Sequence, residues 1–305
     1  MKIAILGASG IGNVHARIFN ELNVEVDSIL GSSISSSSYT ARFLKRTLGI
    51  DPKPFSDINK LMNQPLDGIS ICTPPHLHYE QILRSFDLDL PVFCEKPLFW
   101  DRNCDYRRSI QRLNKLKNHR NRHLVLNTSN SLFIEYIMTE LFHENHISYF
   151  LFKFHTKGNN IDLDIAVDLL PHGMALLQAA FGHYEPCSFC FESGKNSFRC
   201  KFIYDGCDVE FDFAESPECE KSFAFQINDR VFQRVQRGTG KQFRVYINDE
   251  ENRKIFEIPD PFKVYISKFV ECCNSPFSKI REDFGSTYFN QKAILKLLKR
   301  EITYV

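Results

Sequence analysis

The sequence predicts an α/β domain, a doubly wound parallel sheet, followed by an α+β domain built on a large, mainly antiparallel, open-faced sheet. Three observations carry this. Short apolar runs alternate with helical segments through the first 128 residues. A glycine loop joins the first run to the first helix. Beyond residue 128 the apolar spacing changes to a period of two.

The strands of the first domain are "KIAIL" (2–6), "VEVDSIL" (24–30), "GISICTP" (68–74), "LPVFCEKP" (90–97) and "HLVLNTS" (123–129). Near-continuous hydrophobicity suits strands covered on both faces. The one low-complexity piece, "SSISSSS" (32–38), reads as a flexible loop. A chain of 305 residues is long enough for two domains, here 1–128 and 129–305. In the second, a helix "DLLPHGMALLQAAFG" (168–182) precedes the alternating runs "SFRCKFIYD", "CDVEFDFAE", "SFAFQIND" and "KQFRVYIND"; "YFLFKF" (149–154) comes before it. Phe198, Cys200, Phe202 and Tyr204 share one face of a strand while Arg199 and Lys201 point the other way, so one side of the sheet is packed and the other wet. "STYFNQKAILKLLKREI" (286–302) closes the chain as a helix, one able to pack back on the first domain.

A net charge of +1 gives no reason to expect nucleic acid or an anionic membrane as partner. The basic run from Arg102 to Arg122 has almost no interleaved aromatics, Tyr106 alone, and reads as a solvated helix face plus loop. No apolar run reaches the roughly 20 residues that span a bilayer. "MKIAILGASG" does not read as a signal peptide, and ten cysteines without a recognisable secretory signal lead us to expect reduced thiols in the cytoplasm. Cys187 and Cys190 form a lone C-x-x-C with no well-spaced second pair, so no metal site is expected.

The loop Gly7-Ala8-Ser9-Gly10-Ile11-Gly12 lies between strand and helix, where glycines permit a tight turn and close approach of a pyrophosphate to backbone N–H groups. Gly7 and Gly12 fit the first and third positions of the dinucleotide fingerprint, and Ser9 replaces the middle glycine. A ligand-free strand–helix turn is the alternative. The second strand ends in Leu30-Gly31-Ser32-Ser33, with no carboxylate for a ribose 2′-hydroxyl. Hydroxyls of Ser32 and Ser33, with Arg42 further on, suit a 2′-phosphate. The expected cofactor is NADP or NAD, with NADP favoured. Two Y-x-x-x-K spacings, Tyr149/Lys153 and Tyr288/Lys292, fall in a strand-like run and in the last helix, and neither suits a short-chain dehydrogenase.

Two strand ends are chemically loaded: Thr73-Pro74-Pro75-His76-Leu77-His78 and Glu95-Lys96-Pro97. Ligands bind outside the carboxyl ends of parallel strands. Pro97 keeps Lys96 extended, and neighbours on a strand point to opposite faces, which disfavours a plain Glu95–Lys96 ion pair.

A glycine loop, then T-P-P-x-x-H, then E-K-P, in that order and at strand ends, resembles the Gfo/Idh/MocA oxidoreductase family. The resemblance extends to the second domain through Asp168-Leu169-Leu170-Pro171-His172, a D-x-x-x-H segment ahead of an antiparallel sheet. It implies a Rossmann domain and an NAD(P)-dependent dehydrogenase or reductase acting on CH–OH groups of a sugar, polyol or sugar derivative. It assigns Lys96, Asp168 and His172 to catalysis and to substrate, with Asn127 also on the substrate side. Gly7 to Gly12, Thr73, Pro74, His78, Glu95 and Lys96 fall to the cofactor. It also implies a cis Lys96–Pro97 bond and a homodimer through the second sheet, here a polar association because that face carries Arg199, Lys201, Glu210 and Asp212.

The residue types fit the chemistry independently. Carbinol oxidation needs a base for the O–H proton, which a histidine supplies, and a cation for charge developing on oxygen, which Lys96 supplies. Asp168 and His172 lie at i and i+4 on one helix face. The bland readings are an N-cap for Asp168, since Pro171 is tolerated in a first helical turn, and a satisfied half-buried ring for His172. The lead-in "KGNNIDLDIAVD", Ala175, and the absence of an arginine in "NTSNS" (127–131) depart from the family and put a typical sugar or inositol substrate in doubt. The rival function is a non-catalytic sensor of a dinucleotide or sugar on the same fold.

Overall fold

The computed structural model describes residues 1–142, 146–274 and 283–299. The chain divides into two compact units, Met1–Asn127 with Phe262–Tyr288, and Thr128–Pro261 with residues from Phe289 onward.

In the first unit the elements are β1 (Lys2–Leu6), α1 (Ile11–Glu21), β2 (Glu25–Leu30), α2 (Ile34–Leu48), β3 (Lys53–Phe55), α3 (Ile58–Met62), β4 (Gly68–Ile71), α4 (Pro75–Asp87), β5 (Val92–Cys94), α5 (Tyr106–Lys117) and β6 (Leu124–Leu126). The strands form one parallel sheet in the order β3-β2-β1-β4-β5-β6. The order reverses between β1 and β4, and that is where an open α/β sheet has its ligand crevice. The extra strand β3 is absent from the sequence-based expectation because Pro54 weakens its pattern. At a sheet edge a proline removes no needed donor.

The serine run is a correction. Ser33 accepts a hydrogen bond from the Ser36 N–H at 3.1 Å and caps α2, and Ser37 turns its hydroxyl back on the carbonyls of Ser33 and Ile34. Low complexity predicts a loop, but a serine N-cap on an amphipathic segment starts a helix. The basic run lies largely on α5, whose Leu113 and Leu116 are buried while Arg107, Arg108, Lys115 and Lys117 face water.

The second unit contains α6 (Ser131–Tyr136), which runs into a π-helical turn at Ile137–Leu141, then β7 (Tyr149–Thr156) and α7 (Leu163–Phe181). Next come β8 (Cys187–Gly194), β9 (Ser197–Tyr204), β10 (Cys207–Glu215), β11 (Ser222–Ile227), β12 (Arg230–Arg237), β13 (Arg244–Asp249) and β14 (Lys254–Ile258). They build a sheet in the order β14-β13-β12-β11-β7-β10-β9-β8, antiparallel except where β7 pairs with β10. Alternation puts Phe150, Phe152, Phe198, Phe211, Phe213, Phe223 and Phe225 in the core. On the opposite face Arg199 meets Asp212 at 3.0 Å and Lys201 meets Glu210 at 3.1 Å, both directly across β9 and β10. Sequence reading does not anticipate β8, β12 and β14. The first and last are edge strands with little burial, and β12 replaces outward and inward apolar positions with Arg and Gln.

α7 begins five residues before Asp168, so Asp168 is not its N-cap, and Pro171 lies inside the helix. The Pro171 carbonyl accepts a hydrogen bond from Asn290 at 3.0 Å. Gly173 lets α7 approach β10: a Cβ there would stand 2.5 Å from the Phe211 ring.

α8 (Pro261–Asn274) supplies Ile266 and Phe269 to the core of the first unit, where Phe269 packs edge-on to Phe19 and against Phe93. In α9 (Asp283–Lys299), Tyr288 donates to Asn114, while Lys292 and Lys296 hold Glu185. Both Y-x-x-x-K tyrosines are therefore committed elsewhere, since Tyr149 donates to Glu210. No helix among the described residues is long and apolar enough to cross a membrane.

Candidate functional site

β1 ends at Leu6, and Gly7 turns the chain at φ +82°. The Gly7 N–H donates to the Leu30 carbonyl at 2.9 Å, tying the turn to β2. A Cβ at Gly7 would lie 2.7 Å from the Cys72 carbonyl oxygen, and one at Gly12 would overlap the Gly7 carbonyl. Both positions therefore demand glycine whether or not anything binds. Ser9, Gly10 and Ile11 form an exposed crest, and Ala8 is buried beneath it. The first turn of α1 carries neither an acidic residue nor a side-chain cap. A helix N-terminus without a competing carboxylate favours an anion.

At the end of β2 no carboxylate faces the loop. Asp27, further back in the strand, is buried against Lys53 at 3.0 Å. Ser32 and Ser33 are exposed, although the Ser33 hydroxyl already caps α2. Arg42 lies exposed nine residues further along α2, about 13 Å down the helix axis at 1.5 Å per residue.

The two loaded strand ends are tied together from inside. His78, fully buried, has Nε2 at 2.6 Å from the Thr73 carbonyl and Nδ1 at 3.0 Å from the Pro97 carbonyl. Burial pushes its pKa down, against the pull of those two carbonyls. Thr73 donates its hydroxyl to Gln81 at 2.6 Å, and Pro74 occupies the N-cap of α4. His78 thus braces the loop on which Thr73 and Pro74 are carried and directs no nitrogen outward.

Glu95 is buried as well. It accepts from His15 Nε2 at 2.8 Å and from the Asn127 amide at 2.6 Å, while its own N–H donates to the Ile71 carbonyl. The other His15 nitrogen lies 2.9 Å from the Ser70 hydroxyl and 3.1 Å from the Cys72 sulfur. One carboxylate therefore links α1 and the ends of β4, β5 and β6. Burial alone would lower the His15 pKa, but Cys72 and then Glu95 raise it to about 10. Burial alone would raise that of Glu95, but the hydrogen bond from His15 brings it below its ordinary value. The pair is an imidazolium on a carboxylate. Asn127 is drawn into this network and is nearly inaccessible. Lys96, next along, is only partly buried, and the Lys96–Pro97 bond is cis.

In the second unit, α7 is buried nearly all round. Its partly exposed positions Asp164, Asp168 and His172 follow one another at intervals of four and form a polar stripe. Asn130 at the start of α6 sets its amide nitrogen 3.0 Å from His172 Nδ1 and orients the ring, which packs edge-on against Phe154 at 5.5 Å. Lys96 belongs to one unit, and Asp168 and His172 to the other.

Sequence reading missed His15 and Asn130. The signal for His15 was present, a polar residue on the buried face of an otherwise apolar helix beginning. Asn130 carried no signal, because its role depends on α6 and α7 packing together. Among the described residues no group of three or more His, Cys, Asp or Glu side chains is placed to hold a metal, and Cys187 and Cys190 are exposed on the edge strand β8.

Residues 1–124 match the model of a family described as "Oxidoreductase family, NAD-binding Rossmann fold". A 99-residue stretch is 30% identical to myo-inositol 2-dehydrogenase of Thermotoga maritima, and covers 32% of this chain and 28% of that relative's length. Among solved structures, the UDP-N-acetylglucosamine 3-dehydrogenase of Acidithiobacillus ferrooxidans superposes with a TM-score of 0.71 at 16% identity, over 97% of this chain and 96% of the other. A 3-ketoreductase of Actinomadura kijaniata, solved with NADP and TDP-benzene, gives 0.66 at 16% identity with the same coverage, 97% and 96%. At such identities these structures establish a common fold.

Proposed function

Because residues 1–124 belong to the Gfo/Idh/MocA oxidoreductases through their NAD-binding Rossmann fold, we propose that this chain transfers hydride between NAD(P) and a secondary alcohol or ketone of a sugar, polyol or sugar derivative. The observation that carries the reading is the exposed crest Ser9-Gly10-Ile11 at the head of α1, a helix N-terminus with neither an acid nor a side-chain cap. Gly7 to Gly12 would hold the pyrophosphate through backbone N–H groups, and the loops carrying Thr73, Pro74 and Lys96 would border the nicotinamide. When bound, the cofactor supplies or accepts the hydride.

The remaining chemistry falls to the chain itself. Lys96 stabilises negative charge on the substrate oxygen. His172 takes the hydroxyl proton during oxidation and returns it during reduction. Asp168, one turn before it, holds a substrate hydroxyl or the ring. Their joint action in one reaction is part of the proposal and is read from kinetics. His172→Ala is expected to lose the acidic limb of the pH–rate profile along with most turnover, because the proton acceptor must be neutral to act. A variant that keeps that limb assigns the titration to another group.

NADPH is expected to bind at least as tightly as NADH, since no acid follows Leu30. Fluorescence titration of both decides it. A tenfold preference for NADH, about 1.4 kcal/mol, refutes the assignment of Ser32 and Ser33. Gly12→Ala should weaken both dinucleotides together, as its methyl displaces the Gly7 carbonyl; equal affinity in the variant would place the cofactor elsewhere. We also propose a homodimer through the open face of the second sheet. That face carries Arg199, Lys201, Glu210 and Asp212, so light scattering should find a polar association that weakens with salt, and a monomer at high concentration and low salt excludes it.

A further inference from the structure

β12 reads "RVFQRVQR", and its register sets Arg234 opposite Ile247 of β13 and two residues beyond Phe232. Phe232 faces Phe225 across β11, so Arg234 shares the inner, aromatic side of the sheet. Its guanidinium carbon lies 3.9 Å from the centre of the Phe223 ring, 5.6 Å from that of Phe154 and 5.9 Å from that of Phe133. Other arginines of this sheet meet carboxylates: Arg199 meets Asp212 at 3.0 Å, Arg230 meets Asp249 at 2.8 Å, and Arg244 meets Glu257 at 3.4 Å. Among the described residues no carboxylate or hydrogen-bond acceptor engages Arg234. Burial alone acts on it, lowering its pKa to about 10, which leaves the group charged at neutral pH.

A guanidinium in ring contact has one face covered by carbon, and that contact recovers part of the cost of desolvation. It does nothing for the five N–H donors around the rim of the fork, which match two oxygens of a carboxylate or phosphate. Phe154, which touches Arg234, also packs against His172 at 5.5 Å. We infer that Arg234 binds an oxyanion of the substrate, so that the molecule handled at His172 carries a carboxylate or a phosphate ester one aromatic ring away from the reacting carbon. This rests on the oxidoreductase reading for its word "substrate". The anion site itself rests on Arg234 and the rings around it.

The test is calorimetric titration of the full chain, with and without NADPH, using glucuronate, glucose 1-phosphate and glucose. Wild type should prefer one of the two anions over glucose by about 10- to 100-fold, the range for a hydrogen bond to a charged group. The preferred probe then distinguishes carboxylate from phosphate. Arg234→Met keeps the packing and should erase the preference, while Arg234→Lys keeps the charge without the fork and should retain part of it. Equal binding of all three probes by wild type, or an anion preference that survives in Arg234→Met, overturns the inference. Should Arg234→Met fail to fold, the wild-type preference is followed against salt, and one that does not weaken at all overturns it equally. Hydride transfer is assayed separately: anion preference without turnover removes the dehydrogenase reading and leaves the oxyanion site in place.

Discussion

Lys96→Ala is expected to lose most of its turnover, by a factor of hundreds, and to bind NADPH with nearly unchanged affinity. The strand β5 ends in two charged residues whose fates differ. Glu95 turns inward and is consumed by His15 and Asn127. Lys96 stays partly exposed at the tip. On the proposed mechanism a fixed ammonium there would act on charge that develops on the substrate oxygen, so its loss would fall on the chemical step, at about 3–4 kcal/mol. His172→Ala should cost a similar amount, and the double variant little more than either, as for groups that act as a unit. Steady-state kinetics on an identified substrate, paired with dinucleotide titration, separates the outcomes. Full activity in Lys96→Ala would reduce the lysine to a surface charge. A parallel loss of NADPH affinity would make it a cofactor ligand only.

His15→Leu should destabilise the first unit by about 3–5 kcal/mol, the cost of stranding one member of a buried ion pair. Glu95 would then keep the Asn127 amide and the neighbouring charge of Lys96 but no hydrogen-bonded cation. Replacing both residues with leucine should recover part of the loss, since no buried charge remains unpaired. Chemical unfolding of the wild type and these two variants reads this directly, and a loss below about 1 kcal/mol in His15→Leu rules out the ion pair. The pH dependence has a fixed sign. The native His15 pKa is raised from 6.5 to about 10, so its contribution is complete below 6.5 and fades as pH climbs toward 10. The Glu95 pKa is lowered from 4.5, so its contribution is complete above that value and fades in acid. Wild-type stability should therefore fall between pH 6.5 and about 10, and that slope should flatten in His15→Leu.

The two variants separate what the motif "CEKP" mixes. In sequence, Glu95 and Lys96 look like one feature, and a family resemblance assigns both to the cofactor side. In the fold, Glu95 and His78 are internal braces. Asn127, expected to face substrate, is the second ligand of the same carboxylate. These residues tie the ends of β4, β5 and β6 together.

Residue order alone determined the parallel sheet, the glycine turn and the packed face of the second sheet. Each depends on local chemistry: apolar runs bounded by turns, glycines where a Cβ has no room, and alternation with a period of two. The strands β3, β8, β12 and β14 escaped because edge and mixed-polarity strands bury too little on one face to leave a pattern. The serine run was misread because its helix depends on one hydroxyl capping a turn, a contact invisible in composition. The N-cap alternative for Asp168 fails because α7 begins five residues earlier and accommodates Pro171 in its interior. The tertiary structure alone decided which polar residues face inward. His15 and Glu95 are 80 residues apart, and Arg234 is set among rings from α6, β7 and β11. A charge is stable in such a place only through partners that folding brings from distant parts of the chain, so its sequence neighbours carry no record of it.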